Sequence, residues 1–205
     1  RRALEVSDIG NLLCETEKAS SCGSLSIELQ TTKNIFALMF LLRGIPFVDL
    51  AYLRKADIQG NTLRYRRRKT GRLLTVMLTP DAMKLIRIVA KTKPESPYLF
   101  PFLSSPEGTE AAYHEYQSSL RMFNYRLSRL KKYMKTAAHL SSYTIRHTWA
   151  TMAYYCEIHP GIISEAMGHS SIKVTETYLK PFQNEKIDNA NSQVISYVKE
   201  YASIV

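Results

Sequence analysis

The last third of the chain carries an arginine, a histidine and a tyrosine in an order that could serve chemistry on a phosphodiester. They are Arg146, in the segment Tyr143-Thr-Ile-Arg-His, then His169, and then Tyr178. In a continuous helix, nine residues of separation would place two side chains about 13 Å apart. Gly168 marks a turn, however, and the serines after His169 can begin a new helix, so the histidine can fold back towards the tyrosine.

Each of these residue types has a role when a tyrosine attacks a phosphate. An arginine such as Arg146 neutralises the non-bridging oxygens through two parallel hydrogen bonds. A histidine such as His169 provides a route for the proton. The departing sugar oxygen needs an acid, and Lys69, in a predicted hairpin turn, can reach a bound duplex to supply it. Each such group contributes about 10²–10⁴ in rate, so the set is useful only if its members converge.

The charge of the chain favours a polyanionic partner. Its 205 residues carry a formal net charge of +10 and a pI near 9.5, which is typical of proteins that bind nucleic acid or an anionic membrane surface. The predicted helix over residues 110–136 is strongly basic in its second half, which includes Arg121 and Arg126. We expect that half to contact DNA phosphates, and the alternative is a plain solvated face.

The predicted hairpin is also basic. Arg66 and Arg68 share one face of the first strand and Arg67 lies on the other, because side chains alternate along a strand. All three therefore cannot contact the same run of phosphates. We expect Arg66, Arg68 and, just after the turn, Arg72 to bind DNA, although charged strand faces are often only solvated.

The sequence lacks the spacing of a metal site or of a disulfide framework. The three cysteines form no CxxC pair, and their odd number is typical of a reducing compartment such as the bacterial cytoplasm. The five histidines show no ligand spacing. The longest apolar run, over residues 35–42, is too short to span a bilayer. We therefore expect no cofactor, no metal and no membrane partner.

Hydrophobic patterning predicts a mostly α-helical domain with a small antiparallel β-sheet (α+β). Two strands, over 62–68 and 73–78, flank a turn that contains glycine and form a hairpin. The predicted helices begin after Ser7 and at Pro80, and cover 31–42, a short segment near 47–53, 110–136, 142–156, 160–167, 171–179 and about 184–203.

Over roughly residues 30–180, these motifs resemble those of the tyrosine recombinase (phage integrase) family. Arg146-His147 is similar to the core of the family's HxLRH box, and residues 168–171 (Gly-His-Ser-Ser) to its LGHSS box. Tyr178 stands at the spacing of the nucleophile, and Lys69-Thr-Gly resembles the hairpin lysine. Residues 41–53 resemble the box with the first catalytic arginine, especially in integrases of Bacteroides-type mobile elements.

Two positions depart from the family pattern. When Asp49 and the following leucine are aligned with the pattern Arg-x-x-Asp/Glu-Leu, Pro46 stands where the arginine is expected. Arg43 lies about one helical turn earlier, and whether it reaches the same phosphate is left open. Tyr143 replaces the first histidine of the HxLRH box, and its hydroxyl can bind a phosphate but is not a cation near neutral pH. We expect His147 to belong to the DNA-binding residues, where it would orient the neighbouring arginine, and the alternative is that it only packs.

The resemblance implies a catalytic domain that clamps one side of a double-stranded DNA attachment site. Attack by Tyr178 would leave a 3′-phosphotyrosyl link and a free 5′-hydroxyl, without ATP or metal. Strand exchange would take place in a homotetramer, with a monomer as the alternative for the isolated domain. The implied organisation is a linker over 1–22 from an absent core-binding domain, a catalytic domain over 23–181, and a tail over 182–205. The apolar residues of the tail either dock on a neighbouring subunit or pack on their own domain.

Two other functions stay open. A type IB topoisomerase-like enzyme shares the chemistry without strand exchange, although the Gly-His-Ser-Ser box argues against it. A catalytically weakened DNA-binding relative is conceivable because of Pro46 and Tyr143.

Overall fold

A computed structural model of the chain describes residues 3–14, 25–90, 92–134, 136–177 and 184–202. These residues form a mostly helical structure with one three-stranded antiparallel sheet, so the predicted fold class is confirmed. The elements are α1 (Val6–Cys14), α2 (Ile27–Leu41), α3 (Phe47–Ala51), a 3₁₀ turn (Lys55–Asp57), β1 (Ile58–Gln59), β2 (Thr62–Arg66), β3 (Leu73–Met77), α4 (Pro80–Val89), α5 (Glu110–Met134), α6 (Thr144–Tyr155), α7 (Pro160–Met167), α8 (Ile172–Glu176) and α9 (Asn184–Ala202).

The sheet has the order β1-β2-β3, and its register follows from the alternation of apolar and charged side chains. Leu63 pairs with Val76 and Tyr65 with Leu74 across the two longer strands. These four side chains are buried on the core face, while the intervening residues of β2 and β3 are exposed. A shift of one residue would turn every apolar side chain to solvent, so burial fixes the position of the β2–β3 turn.

Helix α2 lies at the centre of the core and packs against α4, α5 and α6. Its residues from Phe36 to Met39 are completely buried. Leu4, Ile9 and Leu12, from the N-terminal segment that was expected to be a linker, belong to the same core. The backbone N–H of Leu4 also donates to the hydroxyl of Thr148 on α6, at 3.0 Å. The N-terminal segment is therefore packed against the helices that carry the rest of the domain.

Side-chain caps decide where two helices begin. Helix α2 starts at Ile27, four residues before the predicted start, because the Ser26 side chain accepts a hydrogen bond from the N–H of Leu29 at 3.4 Å. The expectation that Ser7 caps α1 is wrong. Ser7 lies inside α1, and the carboxylate of Asp8 accepts from the backbone N–H of Glu5 at 3.3 Å instead.

Within the described residues, no helix is both long enough and apolar enough to cross a membrane. The same part of the chain contains no cluster of three histidine, cysteine or carboxylate side chains arranged to hold a metal ion.

Candidate active site and nucleic-acid interface

Arg146 lies on the first turns of α6 and forms the floor of the candidate site. It is only 2% exposed, and its guanidinium donates to the carbonyl oxygens of Gly44, at 2.9 Å, and Met167, at 2.7 Å. These bonds join the α2–α3 loop to the C-terminus of α7. Gly44 has a φ of +67°, and a Cβ there would lie 2.9 Å from the Cα of Arg146. Only glycine permits this close approach.

His169 follows the left-handed residue Gly168, φ +66°, that ends α7. The ring is buried, at 4% exposure, and its Nδ1 lies 2.8 Å from the hydroxyl of Thr175 on α8. Burial lowers the pKa of His169 to about 4, with further contributions from the positive charges of Arg146, Arg67 and Lys69. At neutral pH the ring is therefore uncharged, with its Nδ1 within hydrogen-bond distance of the Thr175 hydroxyl.

The β2–β3 turn docks on the same backbone. Thr70 donates its hydroxyl to the carbonyl oxygen of Gly168 at 3.0 Å, and Arg72 donates to that of His169 at 2.6 Å. The turn is possible because Gly71 adopts a φ of +69°. Lys69 lies at the tip and is exposed, and its charge acts on the His169 ring. The predicted lysine, histidine and arginine are thus brought together by three separate parts of the chain.

Arg43 lies beside this cluster but is turned along the sheet. Its backbone is left-handed, φ +60°, and its Nη1 donates to the carbonyl oxygen of Thr75 on β3 at 3.3 Å. Its charge acts on the buried hydroxyl of Tyr65, whose pKa burial holds well above the ordinary value. The structure therefore places Arg43 near the site without directing its guanidinium to the position where Pro46 replaces an arginine.

Tyr143 and His147 lie together at the N-terminus of α6. Tyr143 is 51% exposed, and its ring meets the edge of the His147 ring with centroids 4.8 Å apart. The backbone N–H of His147 donates to the carbonyl oxygen of Tyr143 at 3.3 Å. Tyr143 precedes Arg146 by about one helical turn and His147 directly follows it, and their roles towards DNA stay predictions.

The two outward arginines of the hairpin are exposed, as alternation along the strand predicts. Arg66 donates to the carbonyl oxygen of Gly71 at 3.2 Å. Arg68 pairs with Glu107, and its guanidinium lies 3.7 Å from the centroid of the Tyr52 ring. The hydrogen bond from Arg68 is the main reason that the pKa of Glu107 lies below its ordinary value. A cleft of about 460 Å³ opens between these side chains.

Arg67, which sequence reasoning did not assign, is buried with 6% exposure. Its Nη1 donates to a carboxylate oxygen of Asp49 on α3 at 2.6 Å. The second oxygen of Asp49 accepts from the backbone N–H of Arg68 at 3.0 Å. Strand alternation predicts that Arg67 faces the side opposite to Arg66 and Arg68. It does not predict that Asp49, from a segment distant along the chain, accepts its hydrogen bond.

The remaining predicted residues lie apart from this cluster or outside the described residues. Arg121 is exposed and Arg126 half-buried on α5. Tyr178, the predicted nucleophile, lies outside the described residues and follows shortly after α8. Helix α9 is exposed along residues 186–200, including its apolar side chains Val194, Ile195 and Val198.

Comparison with known proteins relates the chain to enzymes that act on DNA. The model of the phage integrase family matches residues 7–185. The crystal structure of XerA recombinase is similar with a TM-score of 0.62 and 15% identity, over 93% of this chain and 62% of that chain. An integrase of the Tn1549 transposon, in complex with transposon right end DNA, gives a TM-score of 0.64 and 14% identity, over 94% of this chain and 66% of that one.

A lambda integrase dimer bound to a core site is also similar, with a TM-score of 0.54 and 14% identity, over 88% of this chain and 62% of that chain. These structures share the fold, and this chain spans less than two thirds of the length of each of the three. A search of the curated proteins finds no match.

Proposed function

The chain belongs to the phage integrase family, and from that premise we propose that it is a site-specific recombinase that cuts and rejoins double-stranded DNA through Tyr178. The observation that carries the proposal is the convergence of Arg146, His169 and Lys69. The hairpin that bears Lys69 is hydrogen-bonded to the backbone of Gly168 and His169, and Arg146 is bonded to the adjacent Met167.

In the proposed reaction the Tyr178 hydroxyl oxygen attacks the scissile phosphorus and the bond to the 5′-oxygen of the next nucleotide breaks. One phosphoester bond replaces another, so no ATP or metal is needed. Arg146 neutralises the non-bridging oxygens. The neutral His169 ring handles the tyrosine proton, and Lys69 gives a proton to the leaving oxygen. Attack by a 5′-hydroxyl on the phosphotyrosine reverses the chemistry and joins a strand.

The DNA-binding surface of the proposal has two parts. On the hairpin, Arg66, Arg68 and Arg72 surround the tip that carries Lys69. On α5, Arg121 and Arg126 belong to the basic half of the helix. Because these contacts are to phosphates, binding should weaken steeply with salt, by roughly one power of salt concentration for each phosphate neutralised.

A covalent-capture experiment tests the proposed chemistry. The chain is incubated with a library of randomised duplexes that carry a nick beside each possible cleavage position. Cleavage then releases a short fragment with the free 5′-hydroxyl, and because this fragment diffuses away, religation is prevented and the adduct accumulates. Protein-linked 3′-ends are recovered under denaturing conditions and sequenced. The wild-type chain is expected to give adducts at a preferred sequence, and Tyr178→Phe none. No wild-type adduct would point to a DNA-binding relative without activity, and an adduct from Tyr178→Phe would overturn the assigned nucleophile.

A second duplex with a free 5′-hydroxyl then distinguishes recombination from simple religation. Joining of the captured strand to the second duplex is the result expected of a recombinase. Joining only to its original partner is the behaviour of a topoisomerase-like enzyme.

The exposed face of α9 supports assembly into a homotetramer on DNA. Val194, Ile195 and Val198 are 62%, 45% and 58% exposed, which is an unusual cluster for a monomer surface. In the proposal this face docks on a neighbouring subunit. The proposed setting is the bacterial cytoplasm, on DNA of a mobile element. Residues 23–181, on which the N-terminal segment packs, form the proposed catalytic domain, and residues 182–205 form the assembly tail.

A further inference from the structure

We propose that Arg67 supplies the guanidinium that the sequence lacks at Pro46, and that it binds the scissile phosphate together with Arg146. The inference rests on the proposed function, since it names a further residue of the same site. It replaces Arg43 as the residue that compensates for Pro46.

The first observation is an unsatisfied buried donor. Arg67 is 6% exposed, yet within the described part of the chain its Nε–H has no hydrogen-bond acceptor. Its Nη1 is held by one oxygen of Asp49. Buried polar groups nearly always have partners, and an unpartnered one in a native structure is typical of a functional group. A phosphate oxygen is the acceptor that a guanidinium edge fits best.

The second observation is the position of the side chain. A Cβ built on Gly168 would lie 3.2 Å from the Cδ of Arg67, so the arginine packs directly against the turn that carries His169. In support, the Arg67 charge helps to lower the pKa of His169, after burial and Arg146. Arg67 also precedes Lys69 by two residues on the same hairpin.

The third observation is the anchor. Asp49 lies on α3 three residues after Pro46, which is about one helical turn. The 2.6 Å hydrogen bond to Asp49 holds the Arg67 guanidinium beside α3, the helix that directly follows Pro46, where the family pattern has an arginine. Asp49 is thus a positioning residue. Arg43 and Arg68 are engaged elsewhere, since Arg43 donates to the backbone of β3 and Arg68 pairs with Glu107.

The test compares two substrates of the captured sequence. One carries the natural scissile phosphate, and the other a methylphosphonate, in which a neutral methyl group replaces a charged non-bridging oxygen. An arginine that neutralises this charge is needed for the first substrate and much less for the second. We expect Arg67→Ala to slow adduct formation on the phosphate by about 10²–10³ and to approach the wild-type rate on the methylphosphonate.

Two further variants distinguish loss of phosphate binding from loss of folding. Arg67→Lys keeps a charge without the planar edge and should recover only part of the rate on the phosphate. The double variant Arg67→Gln with Asp49→Asn removes both buried charges together and should therefore fold, with a melting temperature near that of the wild type, while keeping the methylphosphonate rescue. Arg87→Ala, an exposed arginine on α4, is the matched control and should leave both rates unchanged.

The outcomes separate the two proposals. If the wild-type chain forms no adduct, the proposed function fails and this inference fails with it. If the wild type is active and Arg67→Ala loses the same factor on both substrates, or loses nothing, Arg67 does not bind the phosphate and the proposed function stands. Rescue of Arg43→Ala by the methylphosphonate, without rescue of Arg67→Ala, would return the role to Arg43.

Discussion

The floor of the candidate site and the terminal helix α9 invert the usual placement of side chains. In the floor, the charged Arg146 and the ionisable His169 are 2% and 4% exposed. Along α9, apolar side chains such as Val194 are exposed, and Lys186 forms an ion pair with Glu157, 3.1 Å long. The polar side chains of the floor can be buried because this chain's own carbonyl and hydroxyl groups bind them. The apolar face of α9, in contrast, is exposed.

Removal of the Arg146 side chain is expected to have the largest effect on both stability and activity. Arg146→Ala leaves the carbonyls of Gly44 and Met167 without their donor and opens a cavity. We expect the free energy of unfolding to fall by about 3 kcal/mol and adduct formation by about 10³-fold. Urea denaturation and the capture assay measure the two. Arg87→Ala is the control, and an unchanged stability for Arg146→Ala would contradict the description of the floor.

The buried histidine makes stability depend on pH. Well above pH 6.5 the ring is neutral in both the folded and the unfolded chain. As the pH falls from about 6.5 to 4, the unfolded chain binds a proton before the folded chain does, because the pKa of His169 is lowered to about 4 in the folded state. The folded state therefore loses about 3 kcal/mol over this range through His169.

The measurement is urea denaturation of the wild type and His169→Gln at pH 7 and pH 4. The difference between the two proteins should shrink or reverse at the lower pH, since glutamine does not titrate and can still bond Thr175. An equal pH dependence in both proteins would rule out a lowered pKa for His169.

The turn before His169 allows a sharper test with a matched control. Gly168→Ala places a Cβ 3.0 Å from Leu74 and 3.2 Å from Arg67 at a φ of +66°, whereas Gly60→Ala, at a φ of +58°, meets nothing within 4 Å. We expect both to lose about 1 kcal/mol from the backbone, and Gly168→Ala to lose about 1 kcal/mol more from crowding. Equal losses, measured by thermal denaturation, would mean that the hairpin does not pack closely on Gly168.

The smallest effect on stability is expected on α9. Serine at Val194, Ile195 and Val198 should change the unfolding free energy of the monomer by less than about 0.5 kcal/mol, because these side chains are already in water. The same variant should lose assembly on DNA in sedimentation experiments. Alanine at Asn189, Asn191 and Ser192 is the matched control. A clear loss of monomer stability would mean that α9 packs on its own domain.

The fold and the floor of the site followed largely from local sequence. Helix α7 begins at Pro160 and ends before Gly168 as predicted, because proline and a left-handed glycine mark the two ends. The hairpin followed from alternation and from Gly71. The resemblance to the family's motifs implied that Arg146 and His169 share one site, and the structure brings them together.

What the sequence did not predict depends on partners that are distant along the chain. The burial of Arg67 needs Asp49, and the engagement of Arg68 needs Glu107 and Tyr52. Charged residues are buried only where tertiary structure supplies a counter-charge or hydrogen-bond acceptors, and no periodicity encodes that choice. The orientation of Arg43 towards β3 likewise depends on its left-handed backbone. That conformation is uncommon for arginine, so the sequence does not predict it.

The hairpin is attached to the histidine turn through main-chain oxygens. Thr70 and Arg72 donate to the carbonyl oxygens of Gly168 and His169, which every residue type at position 169 would keep. We therefore expect these two hydrogen bonds to hold the Lys69 turn when the imidazole is replaced, so that the acid and the proton carrier can be exchanged one at a time. An engineered version of this site could vary its proton chemistry at position 169 while keeping the geometry that aims the lysine.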